Sequence, residues 1–345
     1  MALTQDHAAQ PALHSRGLPR AAAEMALDHL VWIVLVVVLL GFSLTIPNFF
    51  QIGILLNIFE QSTFVGIMAI GLSLVIIAGH MDLSIESTLA LTAMVTAVIF
   101  GSNGAGMKFS FHPEWLNLPA SVLLSIAIGL AIGAFNAFLV VRLKINAFIV
   151  TLASYIWVRG LVVVLSGGRS VYGLPAEIRW VAIAQILGVP VLAWITLLAF
   201  AVFAFVLAKT PFGRHVIMVG GNATAAFRAG IEVNRVVTLT FLLAGALAGF
   251  AGWLLASRTA GATANLGTGM LFEVFAAVVI GGVSLKGGVG RLSGVVAGVL
   301  LLSSISTAIN VMGMPPHYTQ VIRGALVLAA ILLDTVKTSL RRRLA

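Results

Sequence analysis

The chain has 345 residues, 60% hydrophobic and only 9% charged, with a net charge of +9 and no cysteine. Soluble domains carry about 25% charged residues, so this chain cannot cover a water-facing surface; an ordinary soluble enzyme, a disordered chain and a coiled coil are excluded. The lack of cysteine removes disulfides, thiol nucleophiles and cysteine-held metal or iron–sulfur sites. What remains is an integral membrane protein.

Residues 1–29 are polar, carry Pro11, Arg16, Pro19 and Arg20, and are expected to form a short cytoplasmic tail. The first apolar run, 30–46, has no small-residue cleavage site after it. Pro47-Asn48-Phe49-Phe50 follows instead, so the run is predicted as a membrane span rather than a secretion signal. A helix needs about 20 mostly apolar residues to cross the hydrocarbon core. Charge-poor runs at 30–46, 54–79, 84–101, 119–141, 146–166, 191–208, 236–256, 271–283, 292–311 and 319–336 predict about ten spans, the eighth of them short. Helices satisfy their own backbone in lipid, and the runs are too long for barrel strands. The predicted fold class is therefore an all-α polytopic membrane protein, with a transmembrane domain over 30–336 and a basic cytoplasmic tail over 337–345.

Lys and Arg concentrate in cytoplasmic loops. With the N-terminus inside, the inner segments hold fourteen of the 20 basic residues, Arg142, Lys144, Arg214 and Lys286 among them. The outer loops hold four: Lys108, Arg169, Arg179 and Arg258. Both termini are expected in the cytoplasm, and the net charge is explained by lipid, without nucleic acid as a partner. The longest outer connections are 102–118, with Phe109, Phe111 and Trp115, and 167–190. They either anchor at the headgroups or meet an extracytoplasmic partner. The longest inner loop, 209–235, is too short for a nucleotide-binding domain.

No G-x-x-x-x-G-K-[ST] occurs; the Gly-rich stretch Lys286-Gly287-Gly288-Val289-Gly290 has no Lys-Ser/Thr pair to cradle phosphates. His80 and His215 stand alone, and neither a His-Glu-x-x-His nor a Ser-His-Asp arrangement is present. No catalytic site, metal site or bound cofactor is expected. Chemistry concentrates elsewhere. Between the second and third predicted spans lies Gly79-His80-Met81-Asp82-Leu83-Ser84-Ile85-Glu86-Ser87. A charge at mid-membrane costs roughly 2.5–3.5 kcal/mol on insertion scales, so such groups face a cavity, a partner or the interface. Asp82 and Ser84 suit a helix N-terminus, and the break reads as a capped re-entrant turn, a gate, or both. Asn57 shares a helix face with Glu60 or Gln61, Glu273 opens the short eighth span, and Arg159 and Arg323 lie within spans. Ion pairing, for example of Glu60 with Arg323, and lining of a pathway are the two roles open to them.

In the inner loop, Asn222 suits an N-cap, Ala223 to Ala229 favours helix, and Gly230 fits a left-handed stop. A two-turn helix with small residues is predicted there, either resting on headgroups or receiving another surface. Thr224-Ala225-Ala226-x-x-x-Gly230 resembles the Glu-Ala-Ala-x-x-x-Gly loop of ABC importer permeases, which docks into the ATPase subunit. Three segments resemble the ribose/xylose/autoinducer-type branch of bacterial sugar permeases. They are Gly79-x-x-Asp82-Leu83-Ser84, the stretch Gly213-Arg214 through Asn222 to Ala229-Gly230-Ile231, and Ala276-Ala277-Val278-Val279-Ile280-Gly281-Gly282-x-Ser284-Leu285-x-Gly287-Gly288-x-Gly290. His80 and Glu86 stand where that family usually has glycine, and Thr224 replaces the acidic residue of the docking loop.

The resemblance implies a multi-pass permease of the bacterial inner membrane that imports a monosaccharide or polyol by alternating access. It implies a second permease copy or paralogue, ABC ATPase subunits that use the ATP, and a periplasmic sugar-binding protein. Asn222, Thr224, Ala225, Ala226, Arg228 and Gly230 would form the ATPase-docking loop. Gly281, Gly282, Ser284, Gly287, Gly288 and Gly290 would form an inner connection, flexible or tightly packed. Asn57, Glu60, His80, Asp82, Ser84, Glu86 and Glu273 are candidates for a pathway or gate. An ion-coupled secondary transporter, with Asp82, Glu86, Glu60 or Glu273 as a titrating relay, is the alternative.

Overall fold

The computed structural model describes residues 29–314 and, beyond them, Tyr318, Val321, Gly324, Ala325 and Leu328. Residues 1–28 of the N-terminal tail, most of the tenth predicted span including Arg323, and the basic C-terminal tail lie outside the described residues.

The chain runs through α1 (Leu30–Thr45), α2 (Ile52–Ile77), α3 (Ile85–Phe100), α4 (Asn117–Ala137, continued by a π-helical turn Phe138–Arg142) and α5 (Ala147–Ser166). It continues through α6 (Ala176–Ile183), α7 (Val191–Lys209), α8 (Pro211–Gly221), α9 (Ala223–Arg228), α10 (Val233–Thr259), α11 (Met270–Ile280) and α12 (Leu292–Val311). Strand β1 (Val171–Tyr172) pairs antiparallel with β4 (Gly261–Ala262), and β2 (Gln185–Ile186) with β3 (Val189–Pro190).

Each of the first nine predicted spans is a helix, with boundaries moved by a few residues. Among the described residues, six helices are long and apolar enough to cross a membrane. Three apolar helices fall short: α1 and α3 with 16 residues each and α11 with 11. At 1.5 Å per residue α11 is only about 16 Å long, half a hydrocarbon core of about 30 Å. The predicted eighth span is thus a half-helix.

Helix α2 is buried without interruption from Ser62 to Ile77 and packs between α10 and α12. Helix α10 crosses α4 backbone to backbone. A Cβ on Gly129 would strike the Gly245 carbonyl, and one on Gly249 would strike the Ser125 carbonyl. Gly129 and Gly133 on α4 face Gly245 and Gly249 on α10, so each helix contributes a small-xxx-small pair. In lipid, helices gain little from apolar burial against each other, and such close contact carries the association. Trp253 Nε1 donates to Ser121 Oγ at 2.8 Å and sets the register of the crossing. Gly245→Leu is expected to push these helices apart at a cost of about 3 kcal/mol or more, read as a lowered melting temperature of the purified protein in detergent.

The connections gather at two ends. At one, Ser102 N–H donates to the Tyr172 carbonyl (3.1 Å) and Gly173 N–H to that of Ala260 (3.0 Å), so loops 101–111, 167–174 and 260–262 form a cap. Phe109 and Phe111 meet edge to face there, with ring centroids 4.9 Å apart. The other end collects the turn after α2, residues 143–146, the α8–α9 pair and the connection 281–291. Lys144, Arg214, Arg228, Lys286 and Arg291 sit on these segments, with Arg142, Lys209 and Arg235 at the adjoining helix ends, which makes this the basic end. The loop 209–235 holds two helices rather than the one predicted. Thr210 caps α8, its hydroxyl accepting from Gly213 N–H at 3.3 Å, and Pro211 occupies the first helical position.

Candidate functional site

The polar break between α2 and α3 is a compact turn that leaves the basic end at Gly79 and runs into the bundle, where α3 starts. Gly79, with φ +84°, ends α2 in the left-handed region. Asp82 Oδ1 then accepts from both Ser84 N–H (2.9 Å) and Ser84 Oγ–H (2.6 Å), organising the start of α3. The Ser84 hydroxyl also accepts from Asn136 Nδ2 of α4 at 2.8 Å, and Asn136 Oδ1 accepts from the Ser154 hydroxyl of α5 at 2.6 Å. Asp82, Ser84, Asn136 and Ser154 are all buried. They form one relay of satisfied polar groups tying three helices together, and such a network rigidifies what it joins. His80 bonds the Ala78 carbonyl at 3.1 Å and lines a cavity of about 520 Å³ at the basic end with Met81, Lys144, Asn146 and Leu285.

Glu86 belongs to the same break in sequence but acts elsewhere in space. It is 1% exposed and sits in the first turn of α3. Its Oε1 pairs with Arg159 Nη2 at 2.7 Å and accepts from the Tyr155 hydroxyl at 3.3 Å. Its Oε2 accepts from the backbone N–H groups of Gly269 (3.1 Å) and Leu271 (2.9 Å) at the start of α11. Arg159 is the thirteenth residue of α5, about 18 Å along it from the basic end, and α11 starts about 16 Å from that end. Both measures place Glu86 at mid-depth.

The other expected candidates separate. Gln61 Nε2 donates to Asn57 Oδ1 at 3.0 Å, so Gln61 and not Glu60 is the neighbour of Asn57. Glu60 pairs with Arg258 at the end of α10, at 3.0 Å; Arg323 lies outside the described residues. Glu273, 6% exposed, accepts from the Ser306 hydroxyl of α12 at 3.0 Å.

In the loop 209–235, α9 follows the sequence expectation closely. Asn222 Oδ1 caps Ala225 N–H at 2.9 Å, Gly230 takes φ +84°, and Ile231 N–H returns to the Ala226 carbonyl at 3.1 Å. Thr224, Ala225, Phe227, Arg228 and Gly230 are exposed. Ala226 is not: at 4% exposure it packs into the core, so it supports the helix from beneath and is no part of the outward surface. Phe227, with 70% of its surface exposed, is the large apolar group that α9 presents.

Just before α9, three backbones meet. A Cβ on Gly220 would overlap the Ile77 carbonyl and lie 2.7 Å from Gly288 N. One on Gly287 (φ +80°) would lie 2.7 Å from the Gly220 carbonyl oxygen and 2.9 Å from Gly79 Cα, and one on Gly288 would lie 2.6 Å from Gly221 Cα. Gly288 N–H donates to the Ile77 carbonyl at 2.8 Å. The connection after α11 is itself a tight turn, with Ser284 N–H bonded to the Val289 carbonyl at 2.9 Å. Gly281 and Gly290 pack against Val295 and Ile77, and Gly282 turns at φ +86°. Only glycine permits this junction, which joins the mount of α9 to the end of α2 and to the exit of α11. Of the two roles open to the Gly-rich stretch, tight packing is the one observed.

Sequence reasoning left Asn136, Ser154, Tyr155, Arg159 and Gly220 without assigned partners. Arg159 carried a signal, since an intramembrane arginine demands an anion. The polar positions of α4 and α5 gave none beyond being polar.

The branched-chain amino acid transport system permease component family matches residues 54–331. The chain belongs to this permease family. It is 35% identical over 309 residues to the ribose import permease protein RbsC of Escherichia coli, covering 88% of this chain and 92% of the relative. The L-arabinose ABC transporter permease protein AraH of Azospirillum brasilense is 35% identical over 302 residues, 87% and 85% of the two chains. RbsC of Bacillus subtilis is 34% identical over 299 residues, 86% and 89%. No solved structure matches the chain. The family is one of transport subunits rather than enzymes.

Proposed function

We infer that the chain is the membrane-spanning subunit of an ATP-driven importer for a monosaccharide or related polyol, working by alternating access. The observation that carries this reading is α9: an exposed, capped helix at the basic end, mounted on a glycine junction that touches the start of the α2–α3 break and the exit of α11. A surface that binds a nucleotide-driven partner needs that combination of an accessible face and a stiff route inward. Relatives named for ribose and L-arabinose support the sugar class, and so do spans with few fixed charges, which suit a neutral, hydroxyl-rich solute.

The complete assembly has a second permease copy or paralogue, two ABC ATPase subunits and a periplasmic sugar-binding protein. The basic end faces the cytoplasm of the bacterial inner membrane, the termini lie on that side, and about ten spans cross. Thr224, Ala225, Phe227 and Arg228 receive the ATPase; Asn222, Ala226 and Gly230 hold that surface in shape. His80, Asp82 and Ser84 form the inner gate, and Asn57 with the Glu60–Arg258 pair lies toward the outer mouth. ATP-driven approach of the ATPases moves α9, and the junction passes that movement to the gate as a switch between two packings. A titrating relay is disfavoured, because the relatives are permease components of import systems, one of them named as an ABC transporter permease.

Uptake measured in cells lacking other pentose and hexose importers tests the substrate class. Labelled ribose, L-arabinose and related sugars are expected to enter, in the affinity order of the cognate binding protein, and leucine or isoleucine not. Uptake of branched-chain amino acids without sugar uptake would overturn the assignment.

A further inference from the structure

A carboxylate buried at mid-bundle persists only with its charge matched and its oxygens occupied. Glu86 meets both conditions with groups from separate pieces of chain: Arg159 and Tyr155 on α5, and the first backbone N–H groups around the start of α11. Arg159 Nη1 reaches in turn to the carbonyls of Ala264 (3.4 Å) and Leu266 (3.0 Å), in the loop that leads into α11. The N-cap position of α11 is Gly269, at φ +86°, with no side chain to cap the helix. Glu86 supplies that acceptor from α3, at a separation of 185 residues from Leu271, and its negative charge suits the positive end of the α11 dipole.

The far ends of the same two segments also converge. Gly79, at the head of the turn into α3, and Gly287–Gly288, at the exit of α11, both pack on Gly220 just before α9. Two tethers therefore run in parallel from the glycine junction to Glu86. One passes through the Asp82–Ser84 turn and the other along α11. Glu86 is the polar link between the upper ends of the two tethers, beside the apolar contact of Leu89 with the turn at Gly267.

We propose that Glu86 is a positioning residue for transport: with Arg159 it clasps the N-termini of α3 and α11, so that displacement of α8–α9 reaches mid-bundle as one joint movement of both. Both oxygens of Glu86 are already taken by two donors each, so the clasp holds helices rather than cargo. This proposal rests on the permease reading above.

The test uses the whole complex, permease with ATPase and binding protein, in proteoliposomes. Glu86→Gln and Arg159→Gln are each expected to lower the sugar imported per ATP hydrolysed by roughly 10-fold or more, while binding-protein-stimulated hydrolysis continues. Because both residues belong to one clasp that fails when either is lost, the double variant is expected to be little worse than the poorer single one. An unchanged ratio in Glu86→Gln overturns the clasp, and so does a parallel fall of hydrolysis and uptake at constant ratio. If the neutral variants do not accumulate in the membrane, Arg159→Lys decides. It keeps the charge but not the fork that reaches Glu86 and the two carbonyls together, so a lowered ratio is expected and an unchanged one refutes the clasp. Wild-type protein that accumulates sugar without ATP would instead refute the permease reading, whatever the variants do.

Discussion

Gly220→Ala is expected to abolish sugar uptake while leaving the chain inserted in the membrane. The added methyl would overlap the Ile77 carbonyl and crowd Gly288 N, and neither atom belongs to a flexible side chain that can move aside. Relief requires α8 to lift away from the end of α2 and from the connection after α11. Overpacking of this kind costs typically 1–3 kcal/mol and occasionally more; at the upper bound, 1.4 kcal/mol per decade makes that about 100-fold in the population of the coupled arrangement. Two neighbouring substitutions serve as controls. Gly221→Ala meets nothing closer than Gly288 Cα at 4.0 Å and should transport normally. Gly230→Ala meets no atom within 4 Å, but its backbone is left-handed at φ +84°, a strain of about 1–2 kcal/mol confined to the end of α9. Partial loss of uptake is expected there. Transport assays with the three variants in one background, alongside thermal unfolding in detergent, check the ranking.

The second large effect is expected at Phe227. An exposed aromatic at the centre of a small docking surface is the usual anchor of an interface, and its truncation removes about 2 kcal/mol or more of binding, roughly 30-fold in affinity. Phe227→Ala should weaken ATPase binding by that factor, measured by titrating the ATPase onto the permease in nanodiscs, with the melting temperature of the permease alone unchanged. Ala226→Asp should do the reverse. Its side chain points into the core, so a buried, unpaired carboxylate would destabilise the permease itself. Equal ATPase affinity in wild type and Phe227→Ala would mean that α9 is not the docking surface.

The helices were legible because a run of about 20 apolar residues has few other meanings, and α9 because its N-cap asparagine, alanines and terminal glycine are all local signals. Helices α3 and α11, both too short to cross, were harder. Hydropathy counts 84–101 and 271–283 as spans, because apolar composition does not reveal depth; only the pairing of Glu86 with Arg159 and with the α11 backbone places their N-termini at mid-bundle. The Gly129/Gly133 and Gly245/Gly249 pairs were visible as spacing, yet which helix faces which is a long-range fact. For the same reason Gly220 was indistinguishable in sequence from Gly221, although one is locked between backbones and the other has room. Glu86 was singled out as a charge where a glycine is usual, and its partners, on α5 and α11, could not be named from that alone.

Energy supply separates the account from its alternative most directly. Permease reconstituted alone in sealed vesicles is expected to show no uphill sugar accumulation under any imposed proton or sodium gradient. Addition of the cognate ATPase, binding protein and ATP should start it. Accumulation by the permease alone, driven by an ion gradient and lost in Asp82→Asn, would contradict the account.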